Sequence, residues 1–211
     1  QKRYRTKSIK GSEIMENMHK NLNIGLNLGL IGNALFIIFS IVCFIYYLIF
    51  DLENGFVKFL EIVAYLCEFS GFGCLIVSDI LISKTARMRK WLKIAYSVYI
   101  VTEAVMMTLE LNSYRIDFYK PYSLLLAIVH SIFSAMVCFA FLTFDPDKKS
   151  YEIIIIICIG IMLGGMLGNV IGIRIYFSIF TNAIAFLLLF SSIKYMLKRE
   201  IIEIDCYGDK A

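Results

Sequence analysis

The chain has 211 residues, of which 59% are hydrophobic and only 18% are charged, and its formal net charge is +4. This balance excludes an ordinary soluble domain, in which about a quarter of the residues are charged. The basic excess does not indicate nucleic-acid binding, because it lies in tails and short loops without a recognisable binding module.

Six apolar stretches follow one another, each long enough, at about 20 residues, to cross a bilayer as a helix. They are 22–50, 56–82, 91–111, 122–144, 153–173 and 176–197. Lipid cannot satisfy free backbone groups, and the sequence has no alternating barrel pattern, so only helices can span here. We therefore predict an all-α, polytopic integral membrane protein that forms a six-helix transmembrane bundle.

The predicted organisation has three parts. Residues 1–21 form a basic cytoplasmic segment, 22–197 the six-helix transmembrane domain, and 198–211 a cytoplasmic tail. Because the first 20 residues are polar and basic, we expect no cleavable signal peptide there. We expect a helix to begin at Ser12, whose hydroxyl would cap it, and to lie on the membrane surface before the first span.

The basic residues are distributed unevenly between the two sides of the predicted bundle. Of the 21 Lys and Arg residues, all but four fall in the two tails and in the second and fourth loops. The four on the other side are Lys58, Arg115, Lys120 and Arg174. The positive-inside rule then predicts that both termini are cytoplasmic, in a plasma or inner membrane.

Three ionisable side chains fall near the middle of three consecutive apolar stretches. They are Glu68 in the second, Glu103 in the third and His130 in the fourth. Ionisable groups at membrane depth are costly and are functional-site candidates by default. Their similar depth predicts a shared central site for a cation, a proton or a small ligand.

Further acids extend this candidate site towards both membrane surfaces. Glu61 and Glu110 are expected in the outer part of the bundle, and Asp79 near its cytoplasmic mouth. Steps of three and four residues place the acids of the second helix on one stripe. A ladder of acids is what a cation or proton path requires, since each acid replaces part of an ion's hydration.

Other interpretations of these residues stay open. The acids could be protonated and hydrogen-bonded, serving only to fix helix register, or they could face another subunit. Two carboxylates and one imidazole could hold a divalent metal, but no further ligand is evident, so whether a metal binds here is unknown from the sequence.

Nothing in the sequence indicates an enzyme or a cofactor. There is no phosphate-binding loop, no H-E-x-x-H motif and no CxxC pair. His130 and Cys138 are eight residues apart, which is about 12 Å along a helix and too far for a nucleophile pair.

Glycines recur every four residues in two of the predicted helices. The first helix has Gly25 and Gly29, and the fifth has Gly160, Gly164, Gly168 and Gly172. Small residues at this spacing let helix backbones approach closely. The pattern predicts tight intramolecular packing; a subunit interface or a hinge in a moving helix are the alternatives.

Together these features favour a small transporter or channel-like membrane protein. The alternative is a membrane sensor or anchor that acts through a partner protein, with the basic N-terminal segment and residues 200–211 as contact surfaces. The expected partners are the lipid bilayer and either further copies of the chain or a membrane or cytoplasmic protein.

Overall fold

In a computed structural model of the protein, the described part of the chain is entirely helical. The helices are α1 (Lys2–Ile49), α2 (Gly55–Ser83), α3 (Arg89–Asn112), α4 (Lys120–Phe141), α5 (Lys149–Val170) and α6 (Ile175–Lys198). The structure describes residues 2–49, 55–84, 89–112, 120–141, 149–170 and 175–198. Side chains are described for 19–49, 55–84, 90–108, 125–126, 128–138, 152–168 and 177–198.

The first helix is longer than its apolar stretch. α1 runs without a break from Lys2 to Ile49, so the expectation that a helix begins at Ser12 is wrong. This stretch contains no proline and is rich in Lys, Arg, Met and Glu, which have high helix propensity. The basic N-terminal segment therefore continues directly into the first apolar helix.

Three helical segments are long and apolar enough to cross a membrane: His19–Ile49, Gly55–Ser83 and Phe177–Lys198. Two shorter apolar segments are Ile128–Cys138 and Glu152–Gly168. Large apolar side chains point outwards from the bundle, among them Phe69, which is 73% exposed, and Ile156, which is 67% exposed. An outer surface of this kind is suited to lipid rather than water. The chain is therefore a helical membrane protein.

Neighbouring helices pack in chain order, and α6 returns to pack against α1. The α1–α2 contact is especially close. A Cβ atom added to Gly25 would lie 2.8 Å from Cγ1 of Ile82, and one added to Gly32 would lie 3.0 Å from the carbonyl oxygen of Gly71. Ser78 Oγ also donates to the Gly25 carbonyl oxygen at 2.8 Å. Glycine thus lets the two backbones approach without intervening side chains.

The glycines of α5 behave differently from those of α1. A Cβ on Gly29 would lie 2.5 Å from Cε2 of Phe190, so Gly29 packs against α6. The packing expected of Gly160 and Gly164 within the chain is not found, since a Cβ on either would meet nothing within 4 Å. Gly165 packs instead, because a Cβ there would overlap the Thr181 side chain.

The reason is the position of the buried face of α5. That face carries Ile155, Cys158, Met162, Gly165 and Gly168, which are all buried. Steps of three and four residues follow the 3.6-residue turn, whereas a strict step of four drifts around the helix. The glycines spaced four residues apart therefore do not follow the buried face: Gly160 and Gly164 are exposed, whereas Gly168 is buried. Gly172 lies outside the described residues.

An aromatic cluster joins α3 to α6 in the middle of the bundle. The ring centroids of Tyr99 and Phe186 are 4.7 Å apart, and those of Tyr96 and Phe190 are 6.4 Å apart. All four rings are fully buried. Residue numbers rise on α3 as they fall on α6, so the two helices are antiparallel and their relative register is fixed by these contacts.

Candidate functional site

The two ionisable side chains that the sequence predicts at mid-depth on α3 and α4 meet in the core. His130 Nε2 lies 2.6 Å from Glu103 Oε2, and both side chains are 0% exposed. Glu103 is buried because it follows Tyr99 by four residues and shares its inward face on α3. Breaking a buried pair is costly because the remaining group is left without a partner.

Thr102 determines which nitrogen of His130 carries a proton. Its Oγ1 lies 2.9 Å and 3.0 Å from the carbonyl oxygens of Val98 and Tyr99, which can only accept, so the hydroxyl proton is directed to them. The same Oγ1 lies 2.8 Å from His130 Nδ1. With its proton already engaged, Oγ1 accepts, and the hydrogen-bond network assigns the proton to Nδ1.

Two facing lone pairs 2.6 Å apart would repel each other, so we infer that Nε2 and Glu103 Oε2 share one proton. The pair is either a carboxylic acid beside a neutral imidazole or a carboxylate beside an imidazolium, and it carries no net charge in either form. The Nε2–Oε2 contact does not have the alignment of a hydrogen bond, and Glu103 Oε1 has no hydrogen-bond partner. The second carboxyl oxygen is therefore able to take up a further bond.

Tyr99 covers the imidazole from the α6 side. The ring centroids of Tyr99 and His130 are 5.0 Å apart, with an interplanar angle of 31°. The Tyr99 hydroxyl is buried and has no hydrogen-bond partner. Tyr99 thus brings both an apolar face and an unpaired polar atom to the site.

Glu68 lies apart from the Glu103–His130 pair. It is buried on α2 and hydrogen-bonds Thr108 of α3. Thr108 is five residues from Glu103, which is about 7.5 Å along the helix axis and about 140° around it. The structure therefore brings together two of the three predicted mid-depth residues, and no described contact joins Glu68 to them.

Asp79, on α2, contacts α3 towards the end of that helix opposite to Thr108. Ser97 Oγ donates to its Oδ2 at 3.0 Å, while Oδ1 has no hydrogen-bond partner. Ser97 precedes Glu103 by six residues, about 9 Å along the helix axis. Asp79 is thus also separate from the pair.

No described contact joins the two outer acids, Glu61 and Glu110, to the Glu103–His130 pair. Glu61 is partly exposed on α2. The side chain of Glu110 lies outside those described. Among the described residues, no group of three or more His, Cys, Asp and Glu side chains is placed to hold a metal ion.

Two buried polar residues were not predicted from the sequence: Thr102, which contacts His130, and Asn182 on α6. Asn182 on α6 is fully buried, and neither its Nδ2 nor its Oδ1 has a hydrogen-bond partner. The available signal was a lone amide within an apolar helix, where polar side chains usually bond across to a neighbour. Thr102 could have been found as the hydroxyl residue adjacent to a membrane-depth acid.

Comparisons with protein-family profiles, curated proteins and solved structures found no match to this chain.

Proposed function

We propose that the protein is a small proton-coupled transporter or channel that crosses the membrane six times with both termini in the cytoplasm. The observation that carries this proposal is the fully buried Glu103–His130 pair, with 2.6 Å between its atoms. Ionisable residues inside a membrane bundle typically mark ion paths and proton relays. The acid–base pair is the part of this site that can bind and release a proton.

The contacts of His130 favour a proton over a metal ion. Metal binding requires a free lone pair on an imidazole nitrogen. Here Nδ1 donates to Thr102, and Nε2 faces the Glu103 carboxyl group. A proton, in contrast, needs only to move between two atoms that are already in contact. Among the described residues, no third His, Cys, Asp or Glu side chain is placed to complete a metal site with the pair.

The charge of the pair suggests how transport is coupled to protonation. With one shared proton the pair is neutral, which suits a low-dielectric interior. Adding a proton gives a net positive charge, and removing it gives a net negative charge, and either change is costly in lipid. The pair therefore changes its charge only when the bundle opens to water or when an ion or substrate of opposite charge enters.

Helix length supports six crossings. α3 has 24 residues, and α4 and α5 have 22 each. At 1.5 Å per residue these helices are about 33–36 Å long, against a hydrocarbon core of about 30 Å. An even number of crossings places both termini on one side, in agreement with the distribution of basic residues.

The test is proton flux into proteoliposomes that contain a trapped pH-sensitive dye. A potassium diffusion potential drives protons inwards, and the initial rate of acidification is measured. We expect wild-type vesicles to acidify faster than empty ones, and Glu103→Gln to return the rate to that of empty vesicles. Glu152→Gln, which alters an exposed glutamate on α5, is the matched control and should behave as wild type.

His130→Gln provides a second reading of the same assay. The amide cannot accept and release the proton that the imidazole shares with Glu103, so the initial rate of acidification should fall towards that of empty vesicles. Wild-type vesicles that acidify no faster than empty ones would contradict the proposal. That result would favour the alternative of a sensor or anchor acting through a partner protein.

A further inference from the structure

Several fully buried polar atoms on α3 and α6 have no hydrogen-bond partner. Among them are Glu103 Oε1, the Tyr99 hydroxyl, and both Nδ2 and Oδ1 of Asn182. Unpaired buried polar atoms cost free energy, and most such atoms in native proteins are bonded to protein or to ordered water. Four of them on two packed helices therefore require a common explanation.

The register between α3 and α6 places Glu103 and Asn182 at one level, one turn from Tyr99. Tyr99 packs against Phe186 with 4.7 Å between ring centroids. Glu103 is four residues after Tyr99, and Asn182 is four residues before Phe186. Since residues four apart share a helix face and the helices are antiparallel, Glu103 and Asn182 come opposite each other, about 6 Å along the axis from the ring contact.

We infer that Asn182 and the Tyr99 hydroxyl bind a small cluster of internal water molecules, which carries protons to and from Oε1 of Glu103 on the α6 side. This inference rests on the proposed function and specifies the route to its proton site. A buried water molecule usually makes two to four hydrogen bonds in a polar site. The four unpaired atoms supply donors from the amide and the phenol and acceptors from the amide and the carboxyl group.

The other buried acids do not provide this connection. Glu68 bonds Thr108, and Asp79 bonds Ser97, in both cases between α2 and α3. Ser97 and Thr108 lie on nearly the same side of α3, whereas Glu103 is about 120° or more away from both. Oε2 of Glu103 is occupied by His130. Among the described residues, unpaired polar atoms also occur at Ser131 Oγ on α4 and Asp79 Oδ1 on α2, but Asn182 on α6 is the residue that the helix register places opposite Glu103.

The experiment follows hydrogen–deuterium exchange of the Glu103 carboxylic acid by infrared spectroscopy. Purified protein in detergent is transferred to D₂O, and the shift of the carboxylic C=O band is timed. Difference spectra against Glu103→Gln separate this band from those of Glu68 and Asp79. No transport is needed for this measurement, so it does not depend on knowing a substrate.

We expect Asn182→Leu to slow exchange by about tenfold or more, because an apolar side chain removes two water-binding atoms. Tyr99→Phe should slow it by a smaller factor. Asn182→Ser, which keeps one hydroxyl, should remain closer to wild type. Asn23→Leu, which removes an exposed amide on α1, is the matched control and should exchange at the wild-type rate.

The possible outcomes distinguish the water route from the proton site. A Glu103 band whose exchange rate is the same in wild type, Asn182→Leu and Tyr99→Phe would overturn the water route and leave the proton site intact. Absence of a Glu103 carboxylic band would place the shared proton on His130 and overturn the water route to Oε1, whereas the loss of proton flux in proteoliposomes is the result that overturns the proton site itself. If Asn182→Leu fails to fold, Tyr99→Phe decides, and an exchange rate in Tyr99→Phe equal to that of wild type overturns the inference.

Discussion

The Glu103–His130 pair predicts that single substitutions are far more damaging than the double substitution. Both side chains are 0% exposed, and their atoms are 2.6 Å apart. Removing either one leaves the other buried without its partner. Replacing both residues with leucine leaves neither member of the pair behind as an unpaired polar group. The buried faces of α3 and α4 also carry apolar side chains, such as Met106 and Val137.

The magnitude depends on where the shared proton resides. Breaking a buried ion pair costs about 3–5 kcal/mol, whereas orphaning a neutral polar group costs about 1–3 kcal/mol. Thr102 does not add to the loss, because its hydroxyl keeps its bonds to two carbonyl oxygens when His130 is replaced. Replacing a whole buried pair by apolar residues is often neutral or stabilising.

A double-mutant cycle measures the coupling directly. Glu103→Leu, His130→Leu and the double variant are unfolded by sodium dodecyl sulfate in mixed micelles, and free energies of unfolding are compared. Neutral hydrogen bonds between membrane helices couple by about 0.6 kcal/mol on average and about 1.7 kcal/mol at most. A coupling above about 2 kcal/mol would therefore identify a charged pair, and a value between about 0.6 and 2 kcal/mol a neutral one.

The control cycle combines His130→Leu with Glu152→Leu, whose side chain is exposed on α5. Independent sites add to within about 0.5 kcal/mol. If the Glu103 and His130 losses also add to that extent, the two groups do not share a proton and the reasoning from their contact is refuted.

Two further predictions test the packing and the topology. Gly29→Ala should lower the free energy of unfolding by about 1–3 kcal/mol because the Phe190 side chain of α6 lies close to this position. Gly164→Ala should be neutral or slightly stabilising, because alanine is the better helix former. Equal losses of stability in thermal denaturation would refute the packing difference between the two glycines. Single cysteines replacing Asn54 or Arg174, in a background without native cysteines, should react with an impermeant thiol reagent added outside cells, whereas one replacing Lys148 should not react until the cells are opened. The reverse labelling pattern would invert the orientation derived from the basic residues.

Much of the architecture could be predicted from the distribution of apolar residues. The bounds of α2 to α6 differ from the apolar stretches by at most four residues, because Gly, Pro and charged residues interrupt hydropathy where the helices end. The proximity of Glu103 and His130 also followed from depth, since α3 and α4 are consecutive and antiparallel.

The rest depended on register and on helix faces, which hydropathy does not specify. Glu68 was placed level with Glu103 from its position in an apolar run, yet the α2–α3 contact pairs it with Thr108. The face that a helix buries is chosen by its neighbours, so the glycine spacing of α5 could not reveal that Gly165 packs while Gly164 does not. Asn182 was overlooked because one amide in an apolar helix has no periodicity.

The distance in sequence between the two members of the central pair has a consequence for biogenesis. Glu103 is synthesised 27 residues before His130, so α3 leaves the ribosome carrying an acid whose base has not yet been made. Within the described residues, α3 is also not among the helices apolar enough to cross a membrane alone. An isolated acid at this depth opposes insertion by a few kcal/mol. On the proposed six-crossing topology, we therefore expect the insertion machinery to release α3 and α4 into lipid together, as a hairpin that has already joined its acid to its base.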